Sequence, residues 1–124
     1  MNTPNASLVT VSPVTQDFAV SPQLSASQMS QLAAMGFRSV VNNRPDGEGG
    51  PEQPSAEALR KAALAAGLEY RHVPVPPSQA EPEQVLQMQA MLTQLPLPVL
   101  AFCRSGTRSR RLYEAVQALG DPGF

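Results

Sequence analysis

Val99-Leu100-Ala101-Phe102-Cys103-Arg104-Ser105-Gly106-Thr107-Arg108-Ser109 passes from a continuous apolar run through a glycine turn into a helical pattern, and that passage decides the fold class. Four successive apolar residues bounded by turn signals suit a strand buried on both faces of a parallel sheet. From about Thr107 the period changes: Leu112, Ala115, Val116 and Leu119 fall on one helical face, and Gly120 closes the segment. Cys103, the only cysteine of the chain, therefore lies where a strand gives way to a helix. Backbone N–H groups and the positive end of the helix dipole stabilise a thiolate there, and the same groups cradle an anion. Cys103 is thus a candidate nucleophile.

The same alternation continues toward the N-terminus. Pro82 suits the first turn of a helix whose apolar face is Val85, Met88 and Leu92, and Leu95-Pro96-Leu97-Pro98 breaks it. Leu68 to Val75 reads as a strand, followed by a stiff loop containing Pro76 and Pro77. Ser55 can cap a helix carrying Leu59, Ala62, Ala63 and Ala66, with Gly67 as its stop. Pro45-Asp46-Gly47 is turn chemistry that Gly49-Gly50-Pro51 extends into a loop, and Phe37 to Asn43 before it reads as a strand. Ser25 and Gln28 form a capping-box pattern, Leu24 and Met29 a hydrophobic staple, and Gly36 ends that helix. Residues 1–14, rich in Ser, Thr, Asn and Pro, read as a mobile arm or edge segment, leaving 15–124 as the domain.

Strands alternating with helices imply a three-layer α/β domain: a mainly parallel sheet of four to five strands with helices on both faces. Ligands of such sheets bind outside the C-terminal ends of the strands, where residues 103 to 108 would lie.

Composition bounds the function. A length of 124 residues suits one compact domain. No apolar stretch approaches the roughly 18 to 20 residues of a membrane span, so no membrane partner is expected. A single cysteine permits no intramolecular disulfide and fits a reducing, cytoplasmic setting. Residues 1 to 16 lack the basic and apolar regions of a signal peptide. A pI near 5.7 with few aromatics argues against nucleic-acid binding. Yet Arg104, Arg108, Arg110 and Arg111 crowd one segment of a chain whose net charge is -1, so positive charge is concentrated at the cysteine loop. One histidine and one cysteine make no metal-ligand set, no cofactor is expected, and His72 reads as a structural strand residue.

Leu24-Ser25, Gly36-Phe37-Arg38-Ser39-Val40-Val41-Asn42-Asn43-Arg44-Pro45, Tyr70-Arg71-His72-Val73-Pro74-Val75 and the cysteine loop together carry a resemblance. They resemble the bacterial phosphatase-like domain of beta-lactamase-hydrolase-like proteins over roughly residues 15 to 119. That family is similar in fold to the dual-specificity members of the protein tyrosine phosphatase-like group, and some members are labelled sulfurtransferases. The resemblance implies that Cys103 attacks phosphorus to give a thiophosphoryl-cysteine, while Arg108 clamps two oxygens as a bidentate pair. Arg104, Ser105, Gly106 and Thr107 would hold the anion through their N–H groups, and Ser109 would donate to the thiolate as leaving group. A general acid is also needed. No aspartate occurs between Gly47 and Gly120, so the candidates are Asp46, Glu81 and Glu83.

The loop also departs from the phosphatase pattern His-Cys-x5-Arg. Phe102 stands where that pattern has histidine, and four residues instead of five separate Cys103 from Arg108. Cys-Arg-Ser-Gly-x-Arg-Ser is similar to single-domain rhodaneses, which carry a persulfide on this cysteine. Three readings follow: a phosphatase-like hydrolase, a sulfurtransferase, and a catalytically poor anion-binding module. The expected partner is a small phosphorylated or sulfur-bearing anion, or a phosphoprotein.

Overall fold

Val99–Phe102, the run expected to be buried on both faces, is the central strand of a five-stranded sheet in a computed structural model that describes residues 8–120. The strands are β1 (Ser12–Pro13), β2 (Phe18–Ser21), β3 (Ser39–Asn42), β4 (Glu69–His72) and β5 (Val99–Phe102), in the spatial order β1-β2-β5-β3-β4. β1 runs antiparallel to β2, and the other four strands are parallel. The helices are α1 (Met29–Ala34), entered through a 3-10 turn at Ala26–Gln28, α2 (Ala56–Ala65), α3 (Pro82–Gln94) and α4 (Thr107–Leu119).

The period of two along the strands sorts their side chains between two cores. On one face Val40, Leu100 and Phe102 pack against Met29 and Leu32 of α1 and Leu59 and Ala63 of α2. On the other, Val41, Val99 and Ala101 pack against Met88 of α3 and Leu112 and Val116 of α4. The fold is therefore the expected three-layer α/β domain. β5 is buried on both faces, as its unbroken apolar sequence requires.

Several local readings are refined. β2 lies in a stretch to which the sequence assigned no element, although all four of its residues are buried. Ser12 and Pro13, within the segment read as an arm or edge, form the antiparallel edge strand, and residues 1–7 lie outside the described residues. The two longer strand expectations shorten to four residues each. At the first helix the expected capping box of Ser25 and Gln28 forms, with Ser25 N–H donating to Gln28 Oε1 at 2.9 Å.

The register aligns Ser21, Asn42, His72 and Phe102 in one row at the C-terminal ends of the parallel strands. The loops that follow β2, β3, β4 and β5 consequently converge at one end of the sheet. β5 lies between β2 and β3, whereas β4, which precedes it through α3, lies beyond β3 at the sheet edge, so the chain doubles back and the β5 loop emerges where the strand order reverses.

Candidate active site

Cys103 follows β5 directly and is only 1% exposed. Its Sγ accepts the N–H of Gly106 at 3.1 Å. Gly106 is the N-cap of α4 and adopts φ +96°, a left-handed conformation that side chains disfavour. A Cβ at that position would also sit 3.4 Å from the carbonyl carbon and oxygen of Ser21, so the turn packs directly onto the end of β2. Gln23 N–H donates to Arg104 O at 3.2 Å and ties the loop to the segment after β2. At the head of α4 the first helical bond runs from Arg110 N–H to Gly106 O at 3.0 Å. The N–H groups before it lack helical acceptors, as at any helix start.

Arg108 is held from the opposite side. Its Nη1 donates to Glu48 Oε1 and to Val75 O, each at 3.0 Å, and its Nη2 donates to Glu48 Oε2 at 3.0 Å. A guanidinium has five N–H donors in a planar fork, so three are committed. The two that remain, Nε–H and the second Nη2 hydrogen, lie along a single edge of the plane and form a second bidentate fork. Glu48 and Val75 thus fix the orientation of Arg108 without consuming its capacity for an oxyanion.

Glu48 also accepts from Arg44 Nε at 2.8 Å, so one carboxylate joins two guanidinium groups. The hydrogen bonds from Arg108 and then Arg44 hold the Glu48 carboxyl below its ordinary value of 4.5, against the opposing effect of burial. Arg44 in turn donates through Nη1 to Gln23 Oε1 at 3.1 Å. Gly49 passes so close that a Cβ there would approach Arg44 Nη2 to 2.8 Å.

The backbone of this loop is anchored to the sheet. Asn42 Oδ1 accepts Arg44 N–H at 2.8 Å, and Asn42 Nδ2 donates to the Tyr70 hydroxyl at 3.0 Å. Burial pushes Tyr70 up to about 12, so that hydroxyl stays protonated at neutral pH. His72 Nε2 lies 2.9 Å from Arg44 O. A carbonyl only accepts, so His72 donates and serves as the structural residue that its sequence context suggested.

A cleft of about 500 Å³ brings together Cys103, Arg104, Ser105, Thr107, Arg108 and Arg111, with Ser78 and Gln79 also among its lining residues. Other candidates lie elsewhere. Ser109 is buried, and its hydroxyl donates to Asn43 Oδ1 at 2.8 Å, while Asn43 Nδ2 donates to Val73 O at 3.0 Å. Ser109 therefore locks α4 to the loop after β3, and its bond to Asn43 replaces the expected donation to Cys103. Asp46 Oδ1 accepts Ala56 N–H at 2.7 Å beside Ser55 Oγ, which accepts Ala58 N–H at 3.1 Å. Asp46 is thereby a helix cap for α2 and does not line the cleft. Glu81 is the N-cap of α3, Glu83 lies in its first turn, and neither lines the cleft. Gly106 contributes its N–H to Sγ but is also absent from the cleft lining. Among the described residues, the cleft lining contains no Asp, Glu or His.

Glu48, Gln23 and Asn43 are the residues that sequence reasoning did not assign to the site. The i,i+4 spacing of Arg44 and Glu48 was the sole local signal, and it gave no indication of Arg108, sixty residues away.

A cysteine–arginine loop between a central parallel strand and a helix, within this sheet, gives the chain a protein tyrosine phosphatase-like α/β fold. Kinase associated phosphatase, in a crystal structure with its catalytic-site cysteine replaced by serine, has this fold at a TM-score of 0.72, 13% identity and coverage of 95% of this chain and 78% of that one. A candidate phosphatase from Neisseria meningitidis Z2491 superposes at a TM-score of 0.76 with 31% identity, covering 87% of this chain and 77% of its own. Residues 10–120 match the family model described as beta-lactamase hydrolase-like protein, phosphatase-like domain, and the chain belongs to that family. Beta-lactamase hydrolase-like proteins of Agrobacterium fabrum and Xylella fastidiosa share 39% identity over 88 residues and 36% over 100. Those alignments span 71% and 81% of this chain but only 20% and 23% of the relatives, so the chain corresponds to about a fifth of their length.

Proposed function

We propose that this phosphatase-like domain is a cysteine-dependent hydrolase in which the Cys103 thiolate attacks a phosphoryl group held by residues 103 to 108. The observation that carries this reading is the state of Arg108. It shares the cleft with Cys103, its orientation is fixed by Glu48 and Val75, and two N–H groups on one edge remain uncommitted. Those two donors match the oxygens of a tetrahedral anion, which a lysine could not clamp in the same way. Attack forms the S–P bond and breaks the P–O bond to the leaving group, and water then releases phosphate. Gly106 N–H, already on Sγ, stabilises the thiolate in both steps.

A second reading, a sulfurtransferase with a persulfide on Cys103, draws support from the four-residue spacing to Arg108 and from a cleft lining without a carboxylate. Incubation with para-nitrophenyl phosphate separates the two. Under the lead reading para-nitrophenol is released, and Cys103→Ser abolishes the release. Thiocyanate formation from thiosulfate and cyanide, without phosphate release, would transfer the assignment to sulfur. Neither activity, with retained phosphate binding, would leave an anion-binding module.

A further inference from the structure

The cleft holds positive charge that Arg108 chemistry does not use. Arg104 and Arg111 line it, both are exposed, and neither guanidinium has a partner among the described residues. Both stand around the start of α4, where the helix dipole opposes a cation. Such a placement is unfavourable until an anion arrives. Arg111, Ser105 and Thr107 also line a smaller adjoining hollow of about 320 Å³, which contains Arg110 and Glu114. The Glu114 carboxylate disfavours an anion in that hollow, so the unpartnered charge of Arg104 and Arg111 is best used on the Cys103 side.

The cleft lining also has no carboxylate and no imidazole to protonate a leaving oxygen. Departure must then occur as an anion. An alkoxide does so poorly, whereas a phosphate spreads the charge over several oxygens and presents it to guanidinium groups.

We propose that the cleft acts on phosphoric anhydrides, with the terminal phosphoryl group on Cys103 and Arg108 and the departing phosphate between Arg104 and Arg111. This rests on the phosphatase reading above and adds the substrate class. The thiolate sulfur forms its bond to the terminal phosphorus as the bridging P–O bond breaks. The bridging oxygen keeps the electron pair and leaves on the second phosphate, with no proton required. Water then attacks phosphorus, the S–P bond breaks, the thiolate returns, and the proton of the water passes to the released phosphate or to solvent.

The test compares kcat/KM on inorganic pyrophosphate, para-nitrophenyl phosphate and glycerol 2-phosphate. Pyrophosphate and the nitrophenyl ester should turn over, and the alkyl ester should not. Arg111→Gln should lower the ratio of pyrophosphate to nitrophenyl activity by about tenfold, the scale of one lost charged hydrogen bond. Arg104→Gln should lower it in the same direction. Arg60→Gln, on α2 and paired with Glu57, controls for net charge and should leave the ratio at its wild-type value. Nitrophenyl turnover without pyrophosphate turnover, or an unchanged ratio in both cleft variants, overturns the inference and leaves the phosphatase reading intact. Absence of Cys103-dependent turnover on every ester and anhydride overturns both.

Discussion

Glu48 shows what a single side chain contributes to this site. It is 17% exposed and shares its carboxylate between Arg44 and Arg108, which are 10% and 12% exposed, so the cluster is largely shielded from water. Removing the charge by Glu48→Gln leaves two guanidinium groups facing a neutral amide. We expect a stability loss of about 1–3 kcal/mol in urea unfolding, together with weaker phosphate binding as Arg108 loses its fixed orientation. The pH dependence gives a separate signature. Because the folded Glu48 carboxyl titrates below 4.5, the unfolded chain binds more protons in that window, and stability falls as pH is lowered through it. The difference between wild type and Glu48→Gln should therefore be full above 4.5 and shrink at more acidic pH. A difference independent of pH would mean that the carboxylate charge does not hold the arginines. Cys103 and Arg108 were legible because both belong to one short segment with its own strand, turn and helix signals. Glu48 was not, because its partner is brought to it only by the neighbouring placement of β3 and β5.

At the scale of elements, Asp46 illustrates how turn chemistry and catalytic chemistry compete for the same residue. Pro45-Asp46-Gly47 supplied both a turn signal and the aspartate nearest to a general-acid role, and the structure uses it to satisfy the open N–H of Ala56 at the start of α2. An exposed N–H at a helix start is stabilised by such an acceptor by about 1 kcal/mol. Asp46→Ala should therefore lower the unfolding free energy by about that amount, with turnover of para-nitrophenyl phosphate by the folded fraction at the wild-type level. Loss of turnover with unchanged stability would return Asp46 to the chemistry. The helices and β5 were legible in outline, since caps, glycine stops and apolar periodicity act locally. β2 was not. Phe18-Ala19-Val20-Ser21 is too short for a period to emerge, and its strand character comes from pairing with β1 and β5 and from burial of all four residues.

For the whole molecule, alternation of strands and helices was enough to place the cysteine loop at the C-terminal end of a parallel sheet. It did not specify that β5 inserts between β2 and β3, because helical crossovers leave the neighbour order open. That order brings the loops after β4 and β5 together to line the cleft, with the loop after β3 holding Arg108 through Glu48 and the segment after β2 bonded to Arg104 O, so an oxyanion bound there reports on the entire assembly. Ligand that binds only the folded state stabilises it by RT ln(1 + [L]/Kd), or about 1.4 kcal/mol at ten times Kd. For a domain of this size that corresponds to a rise in Tm of about 5 °C. Inorganic phosphate should produce such a shift in a thermal unfolding series, and sodium chloride at matched ionic strength should not. Arg108→Ala should abolish the shift by removing the guanidinium fork, although its own Tm will be lower because Glu48 and Val75 O lose their donor. Arg60→Gln should retain the full increment, since Arg60 lies on α2 in an exposed pair with Glu57 and away from the cleft. A phosphate shift that survives Arg108→Ala would locate the anion elsewhere on the basic start of α4 and remove the loop from the binding reaction.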